Sequence, residues 1–116
     1  MSNIARHMSD ARLSRAVVHN GVAYFAGTTA DNRGASMKGQ TQEVLTKIDG
    51  MLKAAGTDKS RLLSVVVYVS DMRLKPQMDE AWDAWIDTTN LPARATVETL
   101  LGTADTLVEI MAIAAV

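Results

Sequence analysis

"DTLVEIMAIAAV", residues 105–116, is a run of mostly apolar residues. It predicts one strand with apolar side chains on both faces: Val108, Ile110, Ala112 and Ala114 on one face, and Leu107, Met111, Ile113 and Ala115 on the other. Successive side chains of a strand point to opposite faces of a sheet. The helices of this chain can cover only one of those faces, so the other needs a second chain. The stretch therefore predicts a homo-oligomer whose subunits pack sheet against sheet.

The rest of the sequence supplies the other elements of this sheet. Asn20-Gly21 predicts a hairpin between two short strands. Apolar residues at helical spacing predict a helix from about residue 38 to 55, which Gly56 stops, and Pro76 opens a second helix. "RLLSVVVYVSD" (61–71) predicts a central strand between the helices, and two strands flank "GTAD" (102–105). We expect one domain over residues 1–116, an α+β sandwich in the order β-β-α-β-α-β-β, with a mixed sheet and both helices on one face.

Composition excludes several kinds of chemistry. The chain has no cysteine, which excludes disulfides, thiol catalysis and cysteine-ligated metals. His7 and His19 lack ligand spacing, so we expect no metal site. The twelve lysines and arginines are scattered in a chain of formal net charge −1, so no nucleic-acid partner is expected.

The apolar segments do not indicate a membrane protein. The N-terminus "MSNIARHMSDARLSR" has no continuous apolar region of the kind found in signal peptides. The longest apolar stretch, at the C-terminus, has about half of the ~20 residues that a membrane helix needs. We therefore expect a soluble, cytoplasmic protein without a membrane partner.

Glu109 is the only charged residue between Thr106 and Val116. Removing a carboxylate from water is costly unless the group is paired, hydrogen-bonded or neutral. Two interpretations stay open at this point. Glu109 is either a strand carboxylate that reaches solvent or forms a structural ion pair, or an acid/base group in the wall of a pocket.

Arg94 follows a Pro-Ala pair at the start of a strand, where a side chain commonly points into a cleft. Its guanidinium matches the geometry of a carboxylate, so it is a candidate ligand for an anion, the alternative being a structural partner for Glu98 or Glu109. If "GTAD" closes a tight hairpin, Glu109 lies opposite Thr99 and about 17 Å along the sheet from Arg94. A site that uses both side chains would then be composed across a subunit boundary.

Five segments of the chain match motifs that follow one another in this order in a known protein family: "NGVAYFAG" (20–27), "GQTQEVLTKIDGMLKAAG" (39–56), "VVVYVSDM" (65–72), "NLPARATVE" (90–98) and "VEIMAIA" (108–114). In this the chain resembles the Rid family, the reactive-intermediate deaminases, also called YjgF and formerly labelled L-PSP endoribonuclease. The resemblance runs from about residue 14 to 116 and is closest to the shorter members, whose second helix carries "AWDAW". It implies a chorismate-mutase-like fold and a homotrimer with three clefts between subunits.

The resemblance also implies roles for particular residues. Arg94 would bind the substrate carboxylate, and Glu109 would position the attacking water. The backbone of Ala26-Gly27 would line the pocket. Thr28 and Thr96 would contact the substrate where many members have glutamine and cysteine, so these departures bear on the preferred substrate side chain.

The reaction that this resemblance implies is the hydrolysis of 2-imino acids, the tautomers of enamines such as 2-aminoacrylate, to 2-keto acids and ammonia. It implies no metal or organic cofactor. A second hypothesis is a non-catalytic binder or regulator that holds a small 2-keto acid in the same cleft. Glu109 distinguishes the two, because hydrolysis needs a base whereas a second negative charge hinders the binding of an anion. A third hypothesis, ribonuclease activity, rests on the older label and has no support in composition.

Overall fold

One mixed sheet of seven strands carries two helices. The computed structural model describes residues 3–116. The strands are β1 (Ala5–Ser9), β2 (Ser14–His19), β3 (Val22–Phe25), β4 (Thr28–Thr29), β5 (Leu62–Val69), β6 (Ala93–Glu98) and β7 (Val108–Ala115). The helices are α1 (Met37–Ala54) and α2 (Lys75–Trp85), and short 3-10 turns precede β5 and α2. The predicted α+β class and the mixed sheet are confirmed.

The strand order in the sheet is β1-β2-β3-β7-β5-β6, with β4 paired to β7. β5 and β6 run parallel, whereas the other pairs are antiparallel. Parallel neighbours need a crossover connection, and α2 supplies it between β5 and β6. α2 is thereby brought over the β6 edge of the sheet.

The predicted hairpin between the last two strands is wrong. β7 lies between β3 and β5, and β6 lies on the other side of β5. Glu109 is therefore opposite Tyr68, not Thr99. The physical reason is that β5, which is apolar on both faces, is a central strand with a neighbour on each edge. Residues 99–107 are long enough to connect β6 to β7 around the end of β5.

Two short strands were not predicted. β1 has no apolar alternation in its sequence, ARHMS, and lies largely exposed at the edge of the sheet. β4 is a two-residue strand within the stretch predicted as a loop. The observed order is thus β-β-β-β-α-β-α-β-β.

Both helices lie close to their predicted bounds. α1 begins after Ser36, whose side chain accepts a hydrogen bond from the backbone N–H of Gly39, and the chain leaves it through Gly56 at φ 84°. α2 has Pro76 in its first turn. Neither helix combines the length and the apolar character needed to cross a membrane.

The two faces of the sheet differ in what covers them. The buried residues of β5 and β7 pack beneath both helices: Leu62, Val65, Val67, Val69, Val108, Ile110, Ala112 and Ala114. On the opposite face, here called the open face, Tyr24, Val97 and Met111 are 49%, 41% and 40% exposed. Apolar side chains at this density are those expected of a face that meets another chain.

Candidate active site

Glu109 lies in the middle of β7 on the open face. Its backbone pairs with Thr29 of β4 and Tyr68 of β5, and its side chain is half-buried. Within residues 3–116 the carboxylate has neither an ion-pair partner nor a hydrogen-bond donor. A structural ion pair inside the subunit is therefore excluded among the described residues, which leaves two interpretations: a strand carboxylate that reaches solvent, or an acid/base group in the wall of a pocket.

Gly27 leaves space for the Glu109 carboxylate because it has no side chain. A Cβ at position 27 would lie 3.1 Å from Cδ of Glu109 and would overlap Oε2. Gly27 does not have a positive φ, unlike Gly21 and Gly56, so glycine is needed here for space and not for backbone conformation. Gly27 thus adjoins the Glu109 carboxylate.

A groove of about 370 Å³ opens beside Glu109. It is lined by Thr29, Ala30, Asp31, Arg33, Gly102, Thr103, Thr106 and Glu109. The Arg33 guanidinium lies 3.8 Å from Asp105 and is about half exposed. With two carboxylates and one guanidinium in its lining, the groove of a single subunit is not itself a site for anions.

Gln40 holds the walls of this groove together. Its side chain is fully buried, and Nε2 donates to the backbone carbonyls of Arg33, Ala35 and Asp105 at 3.2, 3.2 and 2.9 Å. Its Oε1 accepts from the backbone N–H of Leu107 at 2.9 Å. Sequence reasoning missed this residue, although its signal was present: Gln40 is a polar residue on the apolar stripe of α1, one turn before Val44.

Arg94 lies on the helix-covered side of β6, not on the open face. Its Nη2 donates to Oδ1 of Asp79 in α2 at 3.0 Å, and its guanidinium carbon lies 5.1 Å from the centre of the Trp82 ring. The side chain is 24% exposed. The structural alternative, in which Arg94 pairs with Glu98 or Glu109, does not hold within residues 3–116: Arg94 pairs with Asp79, because the crossover places α2 above β6.

Asp79 is shared between two cations. Its Oδ2 accepts from Lys75 at 2.6 Å while its Oδ1 accepts from Arg94. Partial burial opposes ionisation of Asp79, but the hydrogen bonds from Lys75 and Arg94 outweigh it and hold the pKa of this carboxyl below its ordinary value. Asp79 is therefore ionised at neutral pH and holds Arg94 in place.

Arg94 and Glu109 face opposite sides of their own sheet. Arg94 is in register with Val65 and, across β5, with Ala112, whereas Glu109 is in register with Tyr68. Two strand spacings and three residues separate their Cα atoms, on the order of 14 Å. A single subunit therefore does not bring the two side chains together on one face of its sheet.

Thr28 and Thr96 have different surroundings. Thr28 is buried, and its hydroxyl donates to the carbonyl of Ala26 at 3.2 Å and lies 3.4 Å from the sulfur of Met51. Thr96 is half-buried on β6, on the same face as Arg94 and one pair further along the strand. The structure thus groups Thr96 with Arg94, while the Thr28 side chain points away from Glu109.

A larger cavity lies elsewhere. It measures about 520 Å³ and lies beside α1, lined among others by Met8, Arg15, Lys47 and Met51. Neither Arg94 nor Glu109 lines it. Size alone does not make it the reaction site, because it lacks the unpaired carboxylate that the groove holds.

We expect Gly27→Ala to fold normally and to lose activity. The new methyl group overlaps the end of a flexible side chain, so the Glu109 carboxylate is displaced while the backbone stays in place. A loss of about tenfold or more in kcat is expected, since small displacements of a catalytic group are costly. Gly50→Ala is the matched control, because a Cβ there meets nothing within 4 Å. Equal activity of the two variants would show that the Gly27 contact does not position Glu109.

This architecture is that of an α+β subunit with one helix-covered sheet face and one open face. The family model described as Endoribonuclease L-PSP matches residues 4–116. A RutC family protein of Haemophilus influenzae is 40% identical over 112 residues, which cover 96% of this chain and 97% of that protein. The RutC family protein YoaB of Escherichia coli is 35% identical over 113 residues, 97% and 98% of the two chains. The chain belongs to the Rid/YjgF family.

Solved structures agree with this assignment. A member of the YjgF family from Neisseria meningitidis superimposes with a TM-score of 0.95 at 36% identity, covering 97% of this chain and 94% of that one. A member of the YjgF/YER057c/UK114 family from Mycobacterium tuberculosis gives 0.86 at 26% identity, with both chains covered completely. The fold inferred from the sequence resemblance is thereby confirmed.

Proposed function

We propose that the protein hydrolyses 2-imino acids to 2-keto acids and ammonia. The observation that carries this proposal is the Glu109 carboxylate, which is half-buried beside Gly27 and lacks a partner in residues 3–116. A carboxylate in this setting can accept a proton from water, whereas one committed to an ion pair cannot do so readily. Family membership supports the same chemistry.

The reaction needs little machinery, because an imine carbon is already electrophilic. Arg94 holds the substrate carboxylate and so fixes the position of the imine carbon. Glu109 takes a proton from water as the oxygen bonds to that carbon, and it passes this proton to the imine nitrogen, which gives a tetrahedral amino alcohol. Glu109 then transfers the hydroxyl proton to the nitrogen as the C–N bond breaks and the C=O bond forms, and ammonia and the 2-keto acid leave.

The two functional groups come from different subunits in this proposal. Arg94 and Glu109 lie on opposite faces of one sheet, so neither face of a single subunit brings these two side chains together. A homotrimer with clefts at the subunit boundaries, as the family resemblance implies, would bring one of each together. The exposed apolar side chains of the open face supply the contact surface.

The test couples an amino-acid oxidase to the purified protein. The oxidase generates 2-imino acids from several amino acids, and the loss of imine is followed with and without the protein. We expect loss above the spontaneous rate in the presence of the protein. No acceleration, together with calorimetric binding of a 2-keto acid, would contradict hydrolysis and favour the non-catalytic binder.

We expect the protein to be a trimer of about three times 12.5 kDa in light scattering at micromolar concentration. Met111→Glu should dissociate it, because Met111 lies on the open face and is 40% exposed in the single subunit. Met72→Glu is the matched control, with a methionine that is 37% exposed in a turn outside the sheet. A monomeric wild-type protein would contradict the shared site.

A further inference from the structure

Arg94 is fixed on two sides before any ligand arrives. Asp79 accepts a hydrogen bond from Nη2 at 3.0 Å, and the Trp82 ring lies 5.1 Å from the guanidinium carbon. Trp82 is 6% exposed and packs in the core, so its ring is a rigid platform. Stacking on an aromatic face restrains the plane of a guanidinium, and the hydrogen bond restrains its rotation within that plane.

Asp79 does not cancel the charge of Arg94. Lys75 contacts the other carboxylate oxygen at 2.6 Å, so the cluster of Lys75, Asp79 and Arg94 holds two positive charges and one negative charge. Asp79 is also the only acceptor of the Arg94 guanidinium within residues 3–116, which leaves most of its five N–H donors free. The cluster can still attract and bind a carboxylate.

We infer that Asp79 and Trp82 are positioning residues that hold the Arg94 guanidinium in the orientation in which it binds the substrate carboxylate. The inference rests on the proposed function, in which Arg94 is the carboxylate ligand. A free arginine side chain loses conformational entropy when it binds a ligand. Asp79 and Trp82 restrict the rotamers of Arg94 before binding, so less entropy is lost. The benefit is therefore to substrate binding and not to proton transfer.

Two variants of Asp79 separate positioning from charge. Asp79→Asn and Asp79→Ala both remove the negative charge, but only asparagine keeps an oxygen that can accept from Arg94. We measure the Kd of pyruvate by calorimetry, and KM and kcat for imine hydrolysis. For Asp79→Ala we expect Kd and KM to rise about tenfold with kcat changed less than about threefold. For Asp79→Asn we expect Kd within about twofold of wild type or tighter.

Asp83→Ala is the matched control, since Asp83 is an exposed acidic residue of the same helix without an ion pair in residues 3–116. Equal pyruvate affinity of Asp79→Ala and Asp79→Asn would overturn the inference, as would tighter binding by Asp79→Ala. Melting temperatures show whether each variant is folded, and Asp79 is 29% exposed, so no core is disturbed.

The Arg94→Ala background distinguishes this inference from the proposed function. If Asp79 acts through Arg94, adding Asp79→Ala to Arg94→Ala should not change the Kd of pyruvate further. A further rise would overturn the positioning role. Wild-type pyruvate affinity in Arg94→Ala alone would instead contradict the proposed function, whatever the Asp79 variants do.

Discussion

Glu109→Gln should lower kcat for imine hydrolysis by about 10²- to 10⁴-fold while the protein stays folded and binds 2-keto acids. Glutamine has nearly the size of glutamate and fits beside Gly27, but an amide cannot accept the proton of the attacking water. The fold should tolerate the change, because the carboxylate supports no other group in residues 3–116. Spontaneous imine hydrolysis, measured without protein, is subtracted first.

Glu80→Gln is the control for this change, because Glu80 is an exposed glutamate of α2 that pairs with Lys38 and does not line the groove. It should leave kcat unaltered. If Glu109 pairs with a cation of a neighbouring subunit, Glu109→Gln should instead dissociate the oligomer or lower the melting temperature. A stable oligomeric Glu109→Gln protein with full activity would refute both roles and leave Glu109 as a strand carboxylate that reaches water.

The helices and the two central strands could be predicted because their signals are local. The apolar spacing of α1 extends over five turns, and its ends carry Ser36 and Gly56. β7 lies where its apolar run predicts a strand, and every second residue of it is buried in the single subunit. Such patterns depend on residues a few positions apart, and tertiary contacts here only reinforce them.

The pairing of the strands could not be predicted in the same way. "GTAD" has the composition of a tight turn, yet the strands on either side of it are separated by β5. Which strand lies beside which depends on contacts between residues far apart in sequence, above all on the two apolar faces of β5. The separation of Arg94 and Glu109 also has a different cause from the one that the hairpin would give: they lie on opposite faces of the sheet. The shared site across a subunit boundary stays a prediction.

The candidate site likewise contains residues that the sequence indicates and residues that only the structure reveals. Arg94 and Glu109 stand out in the sequence as isolated charges among apolar residues. Asp79 does not, because α2 also carries Glu80 and Asp83, and only the packing of α2 over β6 shows which of the three meets Arg94. Residues that support a site from a neighbouring element are therefore the part that local sequence patterns miss.

Arg94→Ala should lower kcat/KM for imine hydrolysis by about 10²- to 10³-fold, the cost of losing a charge-assisted, two-pronged contact with a carboxylate. The subunit should remain folded, because Asp79 keeps its ion pair with Lys75. Arg94→Lys keeps the charge but loses the planar fork, so we expect a loss of at least about tenfold.

Arg73→Ala is the matched control for Arg94→Ala, since Arg73 is 89% exposed and pairs with Asp71 in an exposed turn. If Arg94 merely ties β6 to α2, its removal should lower the melting temperature, and activity should fall only in proportion to the folded fraction. If Arg94 binds substrate, the loss should appear as a higher KM and a weaker pyruvate Kd in protein that melts near the wild-type temperature. Wild-type hydrolysis by Arg94→Ala would show that the carboxylate ligand is another residue.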